Sequence, residues 1–441
     1  MFGTSGIRGI ANSDVGPELA VKVGTALGFP GTKIAIATDT RLAAPMIKHA
    51  LVSGMLSCGS DVLDLGVVPT PVLSFVSQRE KCSGVMVTAS HNPKEYIGMK
   101  LFFEGRELAR EQEKKIEKEI LSPCIPKAPF DKAGVAAQFN ALDGYFKFAL
   151  SLVDLKSIRA KNPRIVVDCG NGAACGAMPY LLGLAGCSVL SVNSEPNGNF
   201  NRQLEPNARN LENTAKIVKA SGALIGIAHD GDADRAIIID EQGKVLALDT
   251  QLAMMATSEL EKTGSKKIVV TTVEASLAVR EAIEGAGAKV EITPVGSQHV
   301  ASRLFASGGA FGGEPCGEYV FYGGTKSPDG LVAGLKFVEM LCKKGKISNL
   351  ASKIKSYPIH RSKFQCSDKT GAMKKILAAT SGMEGAASTV DGLRLDFEDG
   401  WFLIRPSGTE PYMRLTCECK SQKRLDKLAA ELEAIIKKSV Q

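Results

Sequence analysis

The chain has 441 residues, 44% hydrophobic and 23% charged, an ordinary balance for a globular protein. That length is too great for one hydrophobic core and predicts several domains. Formal net charge is +7, with lysines and arginines dispersed and Trp401 the single tryptophan, so no basic stripe interleaved with aromatics marks a nucleic-acid surface. No run of about 18 apolar residues occurs, which excludes a membrane-spanning helix. The opening MFGTSGIRGI lacks the basic-then-apolar order of a signal peptide. The 11 cysteines are odd in number and form no CxxC pair. Scattered cysteines of that kind suit reduced core thiols and predict a cytoplasmic protein. A mildly basic field would also gather anionic substrates.

The N-terminal Phe2-Gly3-Thr4-Ser5-Gly6-Ile7-Arg8-Gly9 is a glycine-rich loop carrying one arginine, Arg8. KIAIATD (33–39) reads as a strand, APMIKHALVSGMLSCG (44–59) as the helix behind it, and DVLDLGVV (61–68) as the next strand. VMVTASHNPKEYIGMK (85–100) begins as buried sheet and ends at Thr88-Ala89-Ser90-His91-Asn92-Pro93. Asn92 is placed to cap a short helical turn, with Pro93 at its first position and Glu95 three residues on. On local chemistry alone such a turn serves structure as readily as function. A Ser-His hydrolase dyad is disfavoured, because adjacent side chains on an extended segment diverge and no G-x-S-x-G is present.

The strand-helix rhythm returns at RIVVDCGNG (164–172), a small-residue helix and CSVLSVN (187–193). It returns again at KKIVVTTV (266–273), followed by SLAVREAIEGAGAKVEITPV. Repeated β-α-β units predict several α/β domains with largely parallel sheets. Between these repeats lies ALIGIAHDGDADRAIIID (223–240), in which an apolar strand ends at Asp230-Gly231-Asp232-Ala233-Asp234-Arg235 and a second strand follows. Three carboxylates two residues apart repel one another unless a cation neutralises them, and hard oxygen ligands favour Mg²⁺. An EF-hand reading places Glu241 at the twelfth position, but Arg235 stands where that loop needs glycine and AIIID is strand. A solvated acidic turn is the remaining reading, and flanking apolar strands weigh against it.

GGEPCGEY (312–319) has glycines that allow close backbone approach, with Glu314 and Glu318 as acceptors for sugar hydroxyls. DGLRLDFEDGWFLIR (391–405) alternates around Glu398-Asp399-Gly400 and reads as a hairpin. It runs into RPSGTEP (405–411), where Arg405, the Ser407 and Thr409 hydroxyls and the amides around Gly408 offer what a phosphate needs. A further strand, MRLTCECK, and an amphipathic helix, RLDKLAAELEAIIKKSV, complete a separate α+β domain. The boundaries are placed at 1–152, 153–248, 249–357 and 358–441.

In this order, the segments resemble the α-D-phosphohexomutase family over the whole chain. TASHNP resembles its phosphoserine loop, DGDADR its metal loop, GEPCG its sugar loop and RPSGTEP its phosphate loop. FGTSGIRG and NFNRQLEPNARNL are similar to further family segments. The resemblance implies four domains in a heart shape around a central cleft, three of them related α/β units. It implies that Ser90 is phosphorylated and joins Asp230, Asp232 and Asp234 around one Mg²⁺. Arg8 and Lys100 match basic residues near the phosphoserine, His91 follows it, and Arg235 closes the metal loop. Glu314, Cys316 and Glu318 fall in the sugar loop, and Arg405, Ser407, Gly408 and Thr409 in the phosphate loop. The implied reaction moves a phosphoryl group between C6 and C1 of a hexose phosphate through a bisphosphorylated sugar, the C-terminal domain releasing and recapturing a phosphate by a hinge motion. Family sugar loops usually read G-E-x-S-G-H, so Cys316 replaces a serine and Glu318 a histidine. Ile97 stands where asparagine is common, and Pro294 where lysine or arginine is. The N-terminal and phosphate loops look most like phosphoglucosamine mutases, with phosphomannomutase/phosphoglucomutase activity the close rival. A homodimer is compatible with the family. A non-catalytic sugar-phosphate-binding protein is the rival of another class, and intact Ser90 with all three aspartates argues against it.

Overall fold

The computed structural model describes residues 6–122, 127–264, 266–408 and 411–440. Residues 1–5 of the N-terminal motif and Thr409 of the phosphate loop lie outside the described residues. The chain divides into two compact units, Met1–Gln251 with Cys316–Ala351, and Leu252–Pro315 with Ser352–Gln441.

In the first unit, among the described residues, one sheet contains β1 (Ile7–Ile10), β2 (Lys33–Thr38), β3 (Asp61–Val67), β4 (Ser83–Val87), β5 (Tyr96–Phe103), β6 (Arg106–Glu107) and β7 (Ala136–Gln138). Its order is β1-β5-β4-β2-β3-β7, with β6 on β5. β2 pairs in parallel with β3 and β4, and β3 with β7, whereas β5 runs antiparallel to both β4 and β1. Every residue of β2 after Lys33 is buried, as expected for a parallel strand covered on both faces. Ile34, Ile36, Val85 and Val87 pack with Val23, Ile47, Leu51 and Met55 of the helices Pro17–Leu27 and Ala44–Ser57 in one core.

A second sheet in the same unit holds β8 (Arg164–Asp168), β9 (Ser188–Val192), β10 (Ile225–Ala228) and β11 (Ile237–Asp240) in the order β11-β10-β8-β9. β8 is parallel to β9 and β10, and β11 returns antiparallel to β10. The second unit opens with β12 (Ile268–Thr272), β13 (Lys289–Thr293) and β14 (Phe311–Gly313), with β12 parallel to both of the others. The chain then re-enters the first unit as β15 (Tyr319–Phe321) and the helix Gly330–Lys344. It leaves again for β16 (Ile359–Gln365), β17 (Ala386–Ser388), β18 (Leu393–Asp396), β19 (Gly400–Pro406) and β20 (Tyr412–Cys419). These form an antiparallel sheet, β16-β20-β19-β18-β17, accompanied by the helices Lys369–Thr380 and Gln422–Val440. The strands read at 33–39, 61–68, 164–172, 187–193 and 266–273 and the hairpin at 391–405 fall where the apolar runs and turn residues placed them, and the C-terminal portion is α+β, whereas Ile7–Ile10, read as part of a glycine-rich loop, is a strand.

The helical turn expected after Asn92 does not form; residues 91–95 are successive turns closed by Asn92 N–Ala89 O at 3.0 Å and Tyr96 N–Pro93 O at 3.1 Å. The Asn92 side chain instead accepts from Arg8 Nη1 at 3.3 Å. None of the described cysteines is in a disulfide, and Cys417 and Cys419 are buried on β20. No helix among the described residues is long and apolar enough to cross a membrane.

Candidate active site

Parallel strands deliver loops at their carboxyl ends, where open α/β sheets bind ligands. In the first unit β4 delivers Thr88 to Ser90 and β10 delivers Asp230. Ser90 has φ 48°, in the left-handed region. That turn brings its Oγ within 3.2 Å of His91 Nδ1, so the two side chains meet where an extended segment would have separated them. The same hydroxyl donates to Asp230 Oδ2 at 2.6 Å. Close approach of the two loops depends on Gly231, where a Cβ would stand 2.5 Å from the Ser90 carbonyl oxygen.

Asp230, Asp232 and Asp234 are all buried, at 0%, 0% and 3% exposure, which removes the solvated-turn reading. One carboxylate oxygen from each lies within 4.8 Å of the others. The loop joins two antiparallel strands, not helices, and Glu241 bonds Ser348 instead of facing the trio, so the EF-hand reading also fails. Lys100 Nζ, 2% exposed at residue level, donates to Asp232 Oδ2 at 2.8 Å and Asp234 Oδ2 at 2.7 Å. Thr70 adds its hydroxyl to Asp232 Oδ2 at 2.6 Å and its amide to the Asp232 carbonyl at 2.9 Å. Oδ1 of Asp232 and of Asp234 is buried without a hydrogen-bond partner.

The charges are set against one another. Burial, then Asp234 and Asp232, push the Asp230 carboxyl well above the carboxylate range. Burial and Asp232 raise Asp234 to about 6. Burial also opposes ionisation of Asp232, but the Lys100 ammonium, the Thr70 hydroxyl and Arg8 together outweigh it and hold that carboxyl below its usual range. For Lys100 the burial penalty is overcome by Asp232 and Asp234, and its ammonium is held above its ordinary value. His91 is lowered to about 2 by burial and by Arg235, Arg8 and Lys100. Its Nε2 lies 3.5 Å from Glu205 Oε2, and with a neutral imidazole that contact is not an ion pair.

Arg8, on β1 opposite Gly98, has its Nε buried without a hydrogen-bond partner. Arg235 Nε donates to Glu318 Oε1 at 3.1 Å and Nη1 to Glu205 Oε1 at 3.2 Å. Cys316 is a partly buried thiol, outside any disulfide, in the same unit. Ser90, His91, Lys100, the three aspartates, Arg235 and Glu318 are thus joined through direct contacts or shared partners, and Arg8 reaches the serine loop through Asn92. Sequence reasoning missed Thr70, Glu205 and the buried pair Asp39–Arg41. Glu205 lies in a segment singled out by resemblance, whereas Thr70 opens the helix Thr70–Arg79 and Arg41 sits in a strand-to-helix connection, neither with a signal of its own.

The remaining candidates lie in the second unit. Glu314 is buried and accepts from Gly296 N at 2.9 Å. Arg405 Nη1 donates to Glu274 Oε1 at 2.7 Å, and its Nη2 lies 3.5 Å from Asp391 Oδ2. Ser407 is buried, with Lys369 Nζ donating to its carbonyl at 2.7 Å, and Gly408 beside it is exposed.

Four family models match in succession. They are phosphoglucomutase/phosphomannomutase alpha/beta/alpha domain I over residues 1–123, domain II over 143–243, domain III over 248–357 and the C-terminal domain over 362–435. A "Probable phosphoglucosamine mutase" of Pyrococcus abyssi is 40% identical over 448 residues, covering 100% of this chain and 98% of its own. A "Phosphoglucosamine mutase" of Methanococcus maripaludis is 41% identical, covering 100% and 99%. Among solved structures, a phosphoglucomutase/phosphomannomutase family protein of Burkholderia thailandensis superposes with TM-score 0.90 at 26% identity, covering 99% and 97%. An N-acetylphosphoglucosamine mutase of Aspergillus fumigatus shares the fold, with TM-score 0.68 at 17% identity and coverage of 100% and 96%.

Proposed function

The chain belongs to the phosphoglucomutase/phosphomannomutase family, the α-D-phosphohexomutases, and from that premise we propose that it converts glucosamine 6-phosphate to glucosamine 1-phosphate. It is an isomerase of the mutase type. The observation that carries the mechanism is the Ser90 hydroxyl, 2.6 Å from Asp230 amid three buried carboxylates. A phosphoryl group there would add about −1.5 to −2 charges, a burden that only nearby cations can offset. Lys100, already bonded to two of the carboxylates, and Arg8, with an unused buried Nε, are those cations in the chain itself.

The trio also suits a hard divalent ion: its donors are all carboxylate oxygens, and two buried ones have no partner. Asp230, Asp232, Asp234 and the phosphoryl group on Ser90 would hold Mg²⁺. When bound, Mg²⁺ would neutralise the transferring group and polarise its phosphorus. In the first half-reaction the P–O bond to Ser90 breaks as one forms to the free sugar hydroxyl, giving the 1,6-bisphosphorylated sugar. In the second, the Ser90 oxygen attacks the other phosphorus and releases the isomeric monophosphate. Arg8 and Lys100 stabilise the charge spread over the transferring oxygens. Arg405, Ser407, Gly408 and Thr409 would hold the phosphate that does not react. The domain boundaries at 153, 249 and 358 are part of this proposal, supported by the spans of the four family models.

The naming of full-length relatives at 40–41% identity supports glucosamine phosphate as the substrate. Epimeric hexose phosphates differ by one hydroxyl, and one hydrogen bond decides between them. Assay of glucosamine, glucose, mannose and N-acetylglucosamine phosphates with Mg²⁺ should give the highest kcat/KM for glucosamine phosphate. Preference for mannose or glucose phosphate would reassign the substrate. Ser90→Ala is expected to abolish turnover while retaining sugar-phosphate binding, and intact mass should show a phosphoryl adduct only when Ser90 is present.

A further inference from the structure

We infer that Asp39, Thr40 and Arg41, which follow β2, are positioning residues that fix Ser90 against the metal loop for phosphoryl transfer. The inference rests on the reading of Ser90 as the phosphoryl carrier.

Arg41 is 1% exposed, and all five of its side-chain N–H donors are engaged. Nε donates to Asp39 Oδ2 at 2.9 Å. Nη1 donates to the carbonyls of Pro93 at 2.6 Å and Tyr96 at 2.9 Å. Nη2 donates to those of Ser90 and Asn92, both at 2.8 Å. Four of the five donors therefore end on the backbone of one short loop, residues 90–96. A pair needed only to fill the core has no reason to converge there, since buried ion pairs are often replaced by apolar groups without loss of stability.

Ser90 is gripped at its amide as well. Thr88 Oγ1 donates to Asp39 Oδ2 at 2.7 Å and accepts the Ser90 N–H at 2.8 Å. Both ends of the Ser90 residue thus lead back to the Asp39 carboxylate. The carbonyl held by Arg41 is also the atom that Gly231 approaches, so the clamp sets how closely the serine loop and the metal loop stack. Thr40 makes the third connection. Its hydroxyl donates to Asn171 O at 2.7 Å, and Ala173 N, two residues on, donates to the Gly231 carbonyl at 2.8 Å. One three-residue segment therefore bonds the serine loop directly and reaches the metal loop through residues 171–173.

In-line transfer demands that Ser90 Oγ hold its place; a misplacement of about 1 Å costs roughly 100-fold in rate. Arg41→Lys keeps the charge but has three donors and no planar fork, so it cannot reproduce five bonds. Thr88→Val keeps the shape and removes only the hydroxyl relay; Thr88→Ser restores it. Each variant is compared with wild type for circular dichroism, binding of glucosamine 6-phosphate, and steady-state kinetics with Mg²⁺. The expected result for Arg41→Lys and Thr88→Val is native circular dichroism, binding within threefold of wild type and kcat lower by ~100-fold, with Thr88→Ser recovering to within threefold. If Arg41→Lys does not fold, the Thr88 pair decides alone. Folded variants whose kcat stays within threefold of wild type, or a Thr88→Ser that fails to recover, would overturn the inference. Turnover that survives Ser90→Ala would instead overturn the mutase reading, whatever happens at Arg41.

Discussion

Glu318 directs Oε1 at Arg235 Nε, 3.1 Å away, and only 13% of its side chain is exposed. A carboxylate whose lone pair is aimed at a guanidinium, a group that does not give up its proton, is poorly placed to take one from a sugar hydroxyl. Glu318 stands where family sugar loops usually carry a histidine, and its contact with Arg235 makes it a counter-ion. Arg235 is gripped from the other side by Glu205 at 3.2 Å. Glu318→Gln keeps an oxygen acceptor for Nε, and its kcat should stay within about threefold of wild type, because losing a true general base costs about 10²–10⁴-fold. Glu318→Ala removes the acceptor and should raise KM through a less ordered Arg235. Steady-state kinetics on the two variants separates the roles, and a hundredfold drop in kcat for the glutamine variant would instead make Glu318 the base.

Among the elements, the helix Gly330–Lys344 shows how a buried polar cap positions a segment near the metal loop. Asp329 Oδ1 accepts from Val332 N at 2.9 Å and from the Tyr145 hydroxyl at 2.7 Å, and Oδ2 accepts from Thr325 Oγ1 at 3.3 Å. Burial pushes the Asp329 carboxyl up to about 6, against those hydrogen bonds, which pull it down. The folded protein therefore holds this proton more tightly than the unfolded chain does. Its contribution to stability is fully present below about pH 4, the ordinary aspartate range, and is lost as pH rises through about 6. Asp329→Asn keeps the oxygen that caps the helix and offers Thr325 an N–H in place of the second oxygen, with no charge to bury at neutral pH. The variant should unfold at an equal or higher temperature at pH 7 and lose that part of the decline in stability between about pH 4 and pH 6. Thermal unfolding across this range tests it, and an unchanged pH slope would remove Asp329 as its source. The strands around this helix were readable from alternation and turn residues. Its buried cap was not, because Tyr145 and Asp329 are 184 positions apart and neither carries a periodic signal.

At the scale of the molecule, the run of apolar strands yields the order of the α/β stretches, whereas the meeting of Ser90 with Asp230 was legible only through the family resemblance of their two loops. The clamp around Arg41 stayed hidden, since its partners are backbone carbonyls, to which any residue contributes alike. Hidden too was the return of residues 316–351 to the compact unit that holds Ser90. Read along the chain, 249–357 is one stretch; in space its latter part completes the first unit. A Cβ on Gly334 would stand 2.4 Å from Met178 Cε and 3.3 Å from Ile227, so the helix lies directly on β10 and its neighbouring helix Met178–Ala185. Glu339 Oε1 accepts the Asp154 amide at 3.1 Å, and Lys343 reaches the Asp154 carboxylate at 3.0 Å. A fragment of residues 1–251 carries Ser90, Lys100 and all three aspartates, yet it would leave Met178 and Ile227 facing water on that side and the Tyr145 hydroxyl without its carboxylate. Exposed core of this kind predicts a fragment with far-UV but little near-UV circular dichroism, prone to aggregate. Supplying residues 316–351 in trans should restore the near-UV signal and a cooperative thermal transition. A fragment of 1–251 that already unfolds cooperatively by itself would show that the returning segment is not needed to close this core.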